Sequence, residues 1–409
     1  MITISEIQNR YDNSIALIIL CCRIHFKTAE INDLNDLISN NHLDWVNCIK
    51  TSRKHQISPL FFKTVLKGNL PEEIQKKINN ELNKYTLQSF EQAKETERLI
   101  FLLKENNISV IPYKGTAFSK QFFGNISMRQ SSDIDFVINS VDIPRAIEIL
   151  EKDGFIAYQK EYYQWIGHKK FIKKHKDFSF DKFKGTKRIH HVELHFNIIN
   201  KNTHIPDITN TFDKNNQSKI LLFQKEIDCL NPIIHYRAIA LHHMLMDQMG
   251  YLKTVVDLCQ MLVYLENQQN VIHSNQQIIL NDLNKFYNLN LIHEIINDII
   301  GISFKENIIN KSENSLTKRI LNSSYRKVRD NKNPFFDALL YNYNQFRFTA
   351  GFYKRKMDQI TYIFNNLISI TYPQPDDFMA IKLNKNLYYL YYLIRPFRLV
   401  LFPGDPNKR

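Results

Sequence analysis

Two aspartates separated by a single residue, Asp133-Ile134-Asp135, lie in an apolar run that ends at Ile138. Side chains on a strand alternate between faces, so both carboxylates project to one side while Ile134 and Phe136 go to the other. At about 7 Å along a strand two acids repel each other unless a cation lies between them. A hard divalent ion such as Mg2+ answers that need, because it takes oxygen ligands and leaves positions open for substrate phosphates. Upstream, a first apolar run closes in Tyr113-Lys114-Gly115-Thr116. If Gly115 ends a strand, the amides opening the next helix point beside Asp133, and the missing side chain admits a phosphate to them; the same residues also make an ordinary strand-to-helix turn. Downstream, His190-His191-Val192-Glu193-Leu194-His195-Phe196 alternates like a strand, with His191, Glu193 and His195 on one face. Laid beside the aspartate strand, Glu193 becomes a third carboxylate, and two metals spanned by three acids would hold a triphosphate and polarise a hydroxyl. The alternative is zinc held through the two imidazoles.

The elements that must position these groups are legible in outline. Residues 1–106 read mainly as helix. Leu43 to Leu66 carries Trp45, Val46, Ile49, Ile57, Leu60, Phe61, Phe62 and Val65 at buried-helix spacing, and Ser58-Pro59 opens a new helix. Pro71-Glu72-Glu73 begins another, since proline suits the first turn and carboxylates suit the positive end of the dipole. That helix runs to about Glu105, with Leu87, Phe90, Ala93, Leu99, Leu102 and Leu103 expected to face inward. A short helix follows Gly115, marked by Phe118, Phe122 and Phe123 and stopped at Gly124. Asp142 and Pro144 open one that ends at Gly154, and Phe155 to Tyr158 can add a strand.

Residues 169–188 hold nine lysines and arginines against Asp177 and Asp181, and Phe178-Ser179-Phe180 suggests a hairpin turned near Lys184-Gly185. Such a cluster is either a solvated face or a phosphate-binding edge. Beyond Asn200 the chain reads almost wholly helical. His235 to Glu266 is a buried helix pair broken near Gly250, with His242 as a core histidine and Lys253 and Asp257 placed to pair at i and i+4. Residues 303–333 read as loop or exposed helix, and the tyrosines at 388, 389, 391 and 392 read as packing of a helical layer.

The 409 residues exceed one ordinary domain. The expected units are an N-terminal helical region (1–106), a sheet-bearing core (107–200) and a C-terminal helical region (201–409), an α+β fold with a small mixed β-sheet flanked by helices. A formal charge of +13 favours a polyanionic ligand. The five cysteines show no metal-ligand spacing and read as reduced thiols, pointing to a cytoplasmic location. The run from Ile15 to Cys22 is too short to cross a bilayer, and no membrane span is expected.

Lys114-Gly115 after a strand, Arg129 ahead of Asp133-Ile134-Asp135, Val192-Glu193-Leu194-His195, and the downstream helix with His242 and Leu252-Lys253 to Asp257 together carry a resemblance to a known family. The chain resembles the nucleotidyltransferase superfamily of the DNA polymerase beta type, and within it the bacterial group of uncharacterised nucleotidyltransferases, over roughly residues 40 to 270. The usual Gly-Ser or Gly-Gly at the turn is here Gly115-Thr116. The resemblance implies Mg2+ held by Asp133, Asp135 and Glu193, a triphosphate against Gly115 and Thr116, and transfer of a nucleoside monophosphate from an NTP to an acceptor with loss of pyrophosphate. Lys114 and Arg129 are candidates for phosphate contacts, Arg129 alternatively for bracing by pairing with a carboxylate. The acceptor would be a small molecule, or a macromolecule such as tRNA or a protein hydroxyl; a nucleotide-binding protein without catalysis is the remaining class, and the presence of all three acids argues against it.

Overall fold

A helix that is apolar on every side must be buried on every side, and Asn13–His25 (α2) is such a helix: every residue from Ser14 to Ile24 is buried. Around it pack Ile4–Arg10 (α1), Ile31–Asn40 (α3), Trp45–Lys54 (α4) and Ser58–Val65 (α5), the last with proline in its first turn as expected. The computed structural model describes residues 1–40, 42–197, 212–268, 287–304, 317, 320, 349–369 and 371–401. Most of the 303–333 stretch falls outside them.

The long helix Glu72–Glu105 (α6) then crosses behind a five-stranded sheet made of Val110–Pro112 (β1), Ile134–Ile138 (β2), Ile156–Ala157 (β3), Asp177–Lys184 (β4) and Lys187–His195 (β5). The strand order is β1-β2-β5-β4-β3; β2 and β5 run parallel and the other pairs antiparallel. A parallel pair needs a long crossover. Here it contains Ile143–Lys152 (α8), β3 and the short helices Lys160–Ile166 (α9) and His168–Lys174 (α10), after Gly115–Phe123 (α7) has already joined β1 to β2. One sheet face is apolar: Ile134, Phe136, Val192, Leu194, Phe178 and Phe180 form one core with Ala93, Leu99 and Leu103 of α6 and Ile143, Ala146 and Leu150 of α8. On the other face, Ile111, Tyr113 and Val137 join the core of α2, α5, Pro232–Leu245 (α11) and Leu252–Asn267 (α12).

Two expectations change. Leu87 and Phe90 are 66% and 45% exposed, although α6 spans the expected residues. Ser89, Gln92, Ala93, Thr96 and Glu97 take the inward positions instead, and the Glu97 carboxylate accepts from the backbone N–H groups of a turn, those of Phe223, Gln224 and Lys225, at 3.4, 2.9 and 2.9 Å. That turn belongs to a second correction, a two-stranded hairpin of Gln217–Leu221 (β6) and Glu226–Leu230 (β7) in a region read as helical. Of the C-terminal tyrosines, Tyr388, Tyr391 and Tyr392 pack a helical layer as expected, whereas Tyr389 is exposed. Trp165 meets the rings of Phe378, Tyr388 and Tyr391 at 5.0–5.5 Å, and the Lys174 ammonium lies over Tyr372, Tyr388 and Tyr392.

The two kinds of position separate by substitution. Phe180→Ala, a fully buried ring, should lower the unfolding free energy in urea by roughly 3–5 kcal/mol, whereas Leu87→Ala should stay within about 0.5 kcal/mol of the parent.

Candidate functional site

The sheet register builds the site. Asp135 pairs directly with Glu193 across the parallel β2–β5 ladder, and His195, two residues on, shares their face. Ligand atoms of Asp135, Glu193 and His195 all lie within 4.8 Å of one another, the one group of its kind among the described residues. His195 Nε2–H donates to Asp135 Oδ1 at 2.9 Å and faces Glu193 Oε2 at 3.1 Å. Burial and Lys176 press this imidazole toward neutrality, but the two carboxylates outweigh them and raise its pKa. Burial likewise works against both acids, yet Lys114 and His195 hold Asp135 below the usual carboxylate range, and His191 and His195 do the same for Glu193. His191 reaches about 9: against the cost of burial, its contacts to Glu193 and Asp181 favour the proton. His195 Nε2 is thus set between two carboxylates, and His191 Nδ1 lies on Asp181 at 2.6 Å.

Asp133 stands just before β2 and lines the same cavity, outside the three-residue cluster, with its carboxylate taking a 2.9 Å bond from Ser132 Oγ. Burial and then the neighbouring Asp135 charge raise its pKa. The cavity holds about 530 Å³ and has an acidic floor and a basic wall. On that wall Lys114 Nζ donates to His242 Nε2 at 3.0 Å. Burial, and after it the Lys114 charge, push His242 down to about 4, so the ring is neutral and able to accept. Lys253 donates to Gln56 Oε1 at 3.0 Å, and burial together with Arg129 brings its pKa down to about 8.

Gly115 and Thr116 are buried and do not line the cavity. Gly115 is required for another reason: its φ is +68°, and a Cβ there would lie 3.3 Å from the Asp133 carbonyl oxygen. The turn therefore seats α7 directly against the residue leading into β2. Arg129 lines the cavity, and its Nε donates to both Asp257 oxygens at 3.0 and 2.9 Å in a pair with almost no solvent exposure. Of the two readings of Arg129, bracing is the contact seen. Asp257 is also met by His243 Nε2 at 3.1 Å, and His243 Nδ1 by Asp247 at 2.6 Å. Lys253 is thus not Asp257's hydrogen-bond partner despite the i, i+4 spacing; the guanidinium matches a buried carboxylate better. Sequence reasoning missed Asp247, His243 and Gln56, and the only signal was local: His243 and Asp247 stand four apart before the Gly250 break.

A family model described as "Uncharacterised nucleotidyltransferase" matches residues 41–293, and the chain belongs to that family. No curated protein and no solved structure matched it.

Breaking the buried brace strands a charge. Arg129→Ala should cost roughly 3–5 kcal/mol of stability in urea unfolding, and adding Asp257→Asn should recover part of that loss; a cost below about 1 kcal/mol would mean the pair is not a brace. Buried neutral histidines set the acid response. His55, which accepts from Leu252 N–H at the start of α12, is pushed by burial to about 3, and His235 and His242 to about 4. Unfolded, each titrates near about 6.5, so below that pH the unfolded chain binds more protons. Their contribution is complete above about 6.5 and declines as pH falls toward 4. His55→Gln should flatten the stability-versus-pH curve in that window by up to about 1.4 kcal/mol per pH unit; an unchanged slope counts against the assignment.

Proposed function

We propose that this member of the uncharacterised nucleotidyltransferase family binds an NTP with Mg2+ in the cavity between β2, β5 and α12 and moves its nucleoside monophosphate to an acceptor hydroxyl, releasing pyrophosphate. The observation that carries this reading is the direct pairing of Asp135 with Glu193 across two parallel strands, facing Lys114 and Lys253 over one cavity.

The donor set fits the ion: Asp135 and Glu193 offer hard oxygens kept ionised by their surroundings, with Asp133 at the rim. Bound there, Mg2+ would neutralise charge on the triphosphate and on the reacting phosphorus. The protein's own part is positioning and electrostatics, which phosphoryl chemistry needs more than covalent help. Lys114 and Lys253 present ammonium groups to the phosphate oxygens from the wall opposite the acids. Glu193 accepts a hydrogen bond from the acceptor hydroxyl and aligns it for in-line attack. The new bond joins the acceptor oxygen to the α-phosphorus, the bond from that phosphorus to the bridging oxygen breaks, and pyrophosphate departs while the hydroxyl proton passes to solvent. Lys114 and His195, whose Nε2 lies 2.9 Å away, hold Asp135 below the usual carboxylate range and so favour its ionised form.

All five cysteines are free and buried, which suits a reducing compartment and supports a cytoplasmic setting. No described helix is long and apolar enough to cross a membrane.

Pyrophosphate release and transfer of label from each α-labelled NTP, with Mg2+ or with EDTA, test the reading. Asp135→Asn and Glu193→Gln should lower transfer by on the order of 10³-fold, and EDTA should do the same, while Asp133→Ala should also lose activity with its melting temperature unchanged. Full activity in EDTA, or unfolding of the acid variants, would overturn it.

A further inference from the structure

Among the described residues four acids line the cavity, and Asp133, Asp135 and Glu193 stand on or beside the sheet. The fourth, Asp247, comes from the opposite wall, in the turn between α11 and α12, beside the cations that meet the triphosphate in the reading above. Its side chain is 32% exposed, against 1% for Asp257 on the other side of His243, so Asp247 is the one of the two that opens on the cavity. Burial works against its charge, but His242 and His243 hold its pKa well below the usual carboxylate range.

The two carboxylate oxygens are not equivalent. Oδ2 is taken by His243 Nδ1 at 2.6 Å. Oδ1 lies 3.6 Å from His242 Nε2, and that nitrogen already accepts from Lys114 Nζ at 3.0 Å, so it has no proton to give. An ionised oxygen facing a cavity takes donors from whatever enters it. The backbone holds it there: after α11 ends at Leu245, Gln248 and Met249 adopt left-handed conformations, with φ of 54° and 49°, Met249 N–H bonds back to the His243 carbonyl at 2.8 Å, and the Met249 side chain is fully buried. Residues other than glycine keep such a conformation where the surroundings over-determine it.

A carboxylate in a basic wall repels phosphate, so the group that docks on Oδ1 is a hydrogen-bond donor. It must also lie next to the phosphates, because one imidazole nitrogen separates Oδ1 from the Lys114 ammonium. In an NTP the donors nearest the phosphates are the hydroxyls of the ribose; the base amino and imino groups lie beyond the sugar.

We propose that Asp247 receives the sugar of the nucleotide, its Oδ1 accepting from the ribose 2′- and 3′-hydroxyls, and so selects ribonucleotides over nucleotides that lack them. The inference rests on the transferase reading above and deepens it by naming the sugar of the donor.

Equilibrium binding of the four NTPs and of their 2′,3′-dideoxy counterparts, with Mg2+ and no acceptor, tests it. For the NTP bound most tightly, the parent should prefer the ribonucleotide by roughly 10- to 100-fold, the range of a hydrogen bond to a charged group. In Asp247→Asn the amide oxygen stays on His243 and the NH2 group turns to the cavity, so the preference should shrink to within about twofold, while the dideoxynucleotide binds at least as tightly as it does to the parent. Asp247→Glu, which keeps a charge for His243 and displaces the oxygens by one methylene, should narrow the preference too and carries the comparison if the asparagine variant does not fold. A variant that weakens both nucleotides alike and keeps their ratio overturns the proposal, since loss of structure alone would do that. A parent that binds both within about twofold overturns it as well and leaves the transferase reading standing; a parent that binds no NTP overturns both.

Discussion

Two carboxylates placed directly opposite on neighbouring strands oppose the pairing that brings them together, and the β2–β5 ladder does this with Asp135 and Glu193 in its interior. The surrounding structure answers that repulsion in stages. His195 lies between the two acids on the same face, Lys114 leans in from the end of β1, and Lys176 approaches from the start of β4. The apolar face behind them, packed on α6 and α8, fixes the register, since a shift of one residue would turn Asp135 and Glu193 into that core and Phe136 and Leu194 into the cavity. The acid pair is therefore held together by hydrophobic burial on the far side of the sheet and kept charged by cations on the near side.

The cations in turn need holding, and that work falls to segments distant in sequence. Arg129, in the loop between α7 and β2, is tied to Asp257 of α12, so the loop that leads to Asp133 is fastened to the helix that carries Lys253. The α4–α5 junction is tied to the same helix through His55 and Gln56, which meet Leu252 and Lys253. His242 accepts from Lys114, which links α11 to the strand-to-helix turn. The N-terminal helices and the pair α11–α12 share one core with Tyr113 of the turn, so the basic wall is an assembly of three parts of the chain around the sheet.

Alternation and punctuation carried much of this in the sequence. The aspartate strand, the glutamate strand, the glycine turn and the helix stops at Gly124 and Gly154 all rest on local rules of backbone and side-chain direction, which act over a few residues. What local rules cannot show is which distant group satisfies a buried charge. Asp257 had a plausible partner four residues away and took one 128 positions distant, and Glu97 sits on the inward side of a helix, where an apolar residue is expected, because a hairpin turn elsewhere needs its oxygens. The β6–β7 hairpin escaped notice because the rest of its surroundings is helical and its strands are half polar.

The same distinction explains how one basic cluster serves two ends. Cations that meet a carboxylate or an aromatic cage while the sheet packs, such as Lys174 and Lys182, are fixed by the fold and carry no free charge to a ligand. Lys184 and Lys187 face each other in the last rung of the β4–β5 ribbon, exposed and without an ion-pair partner among the described residues, so their mutual repulsion is left in the native state. The acids at the floor of the cavity and the lysines at the ribbon tip are thus the same physical situation with opposite sign: like charges set against one another by strand pairing.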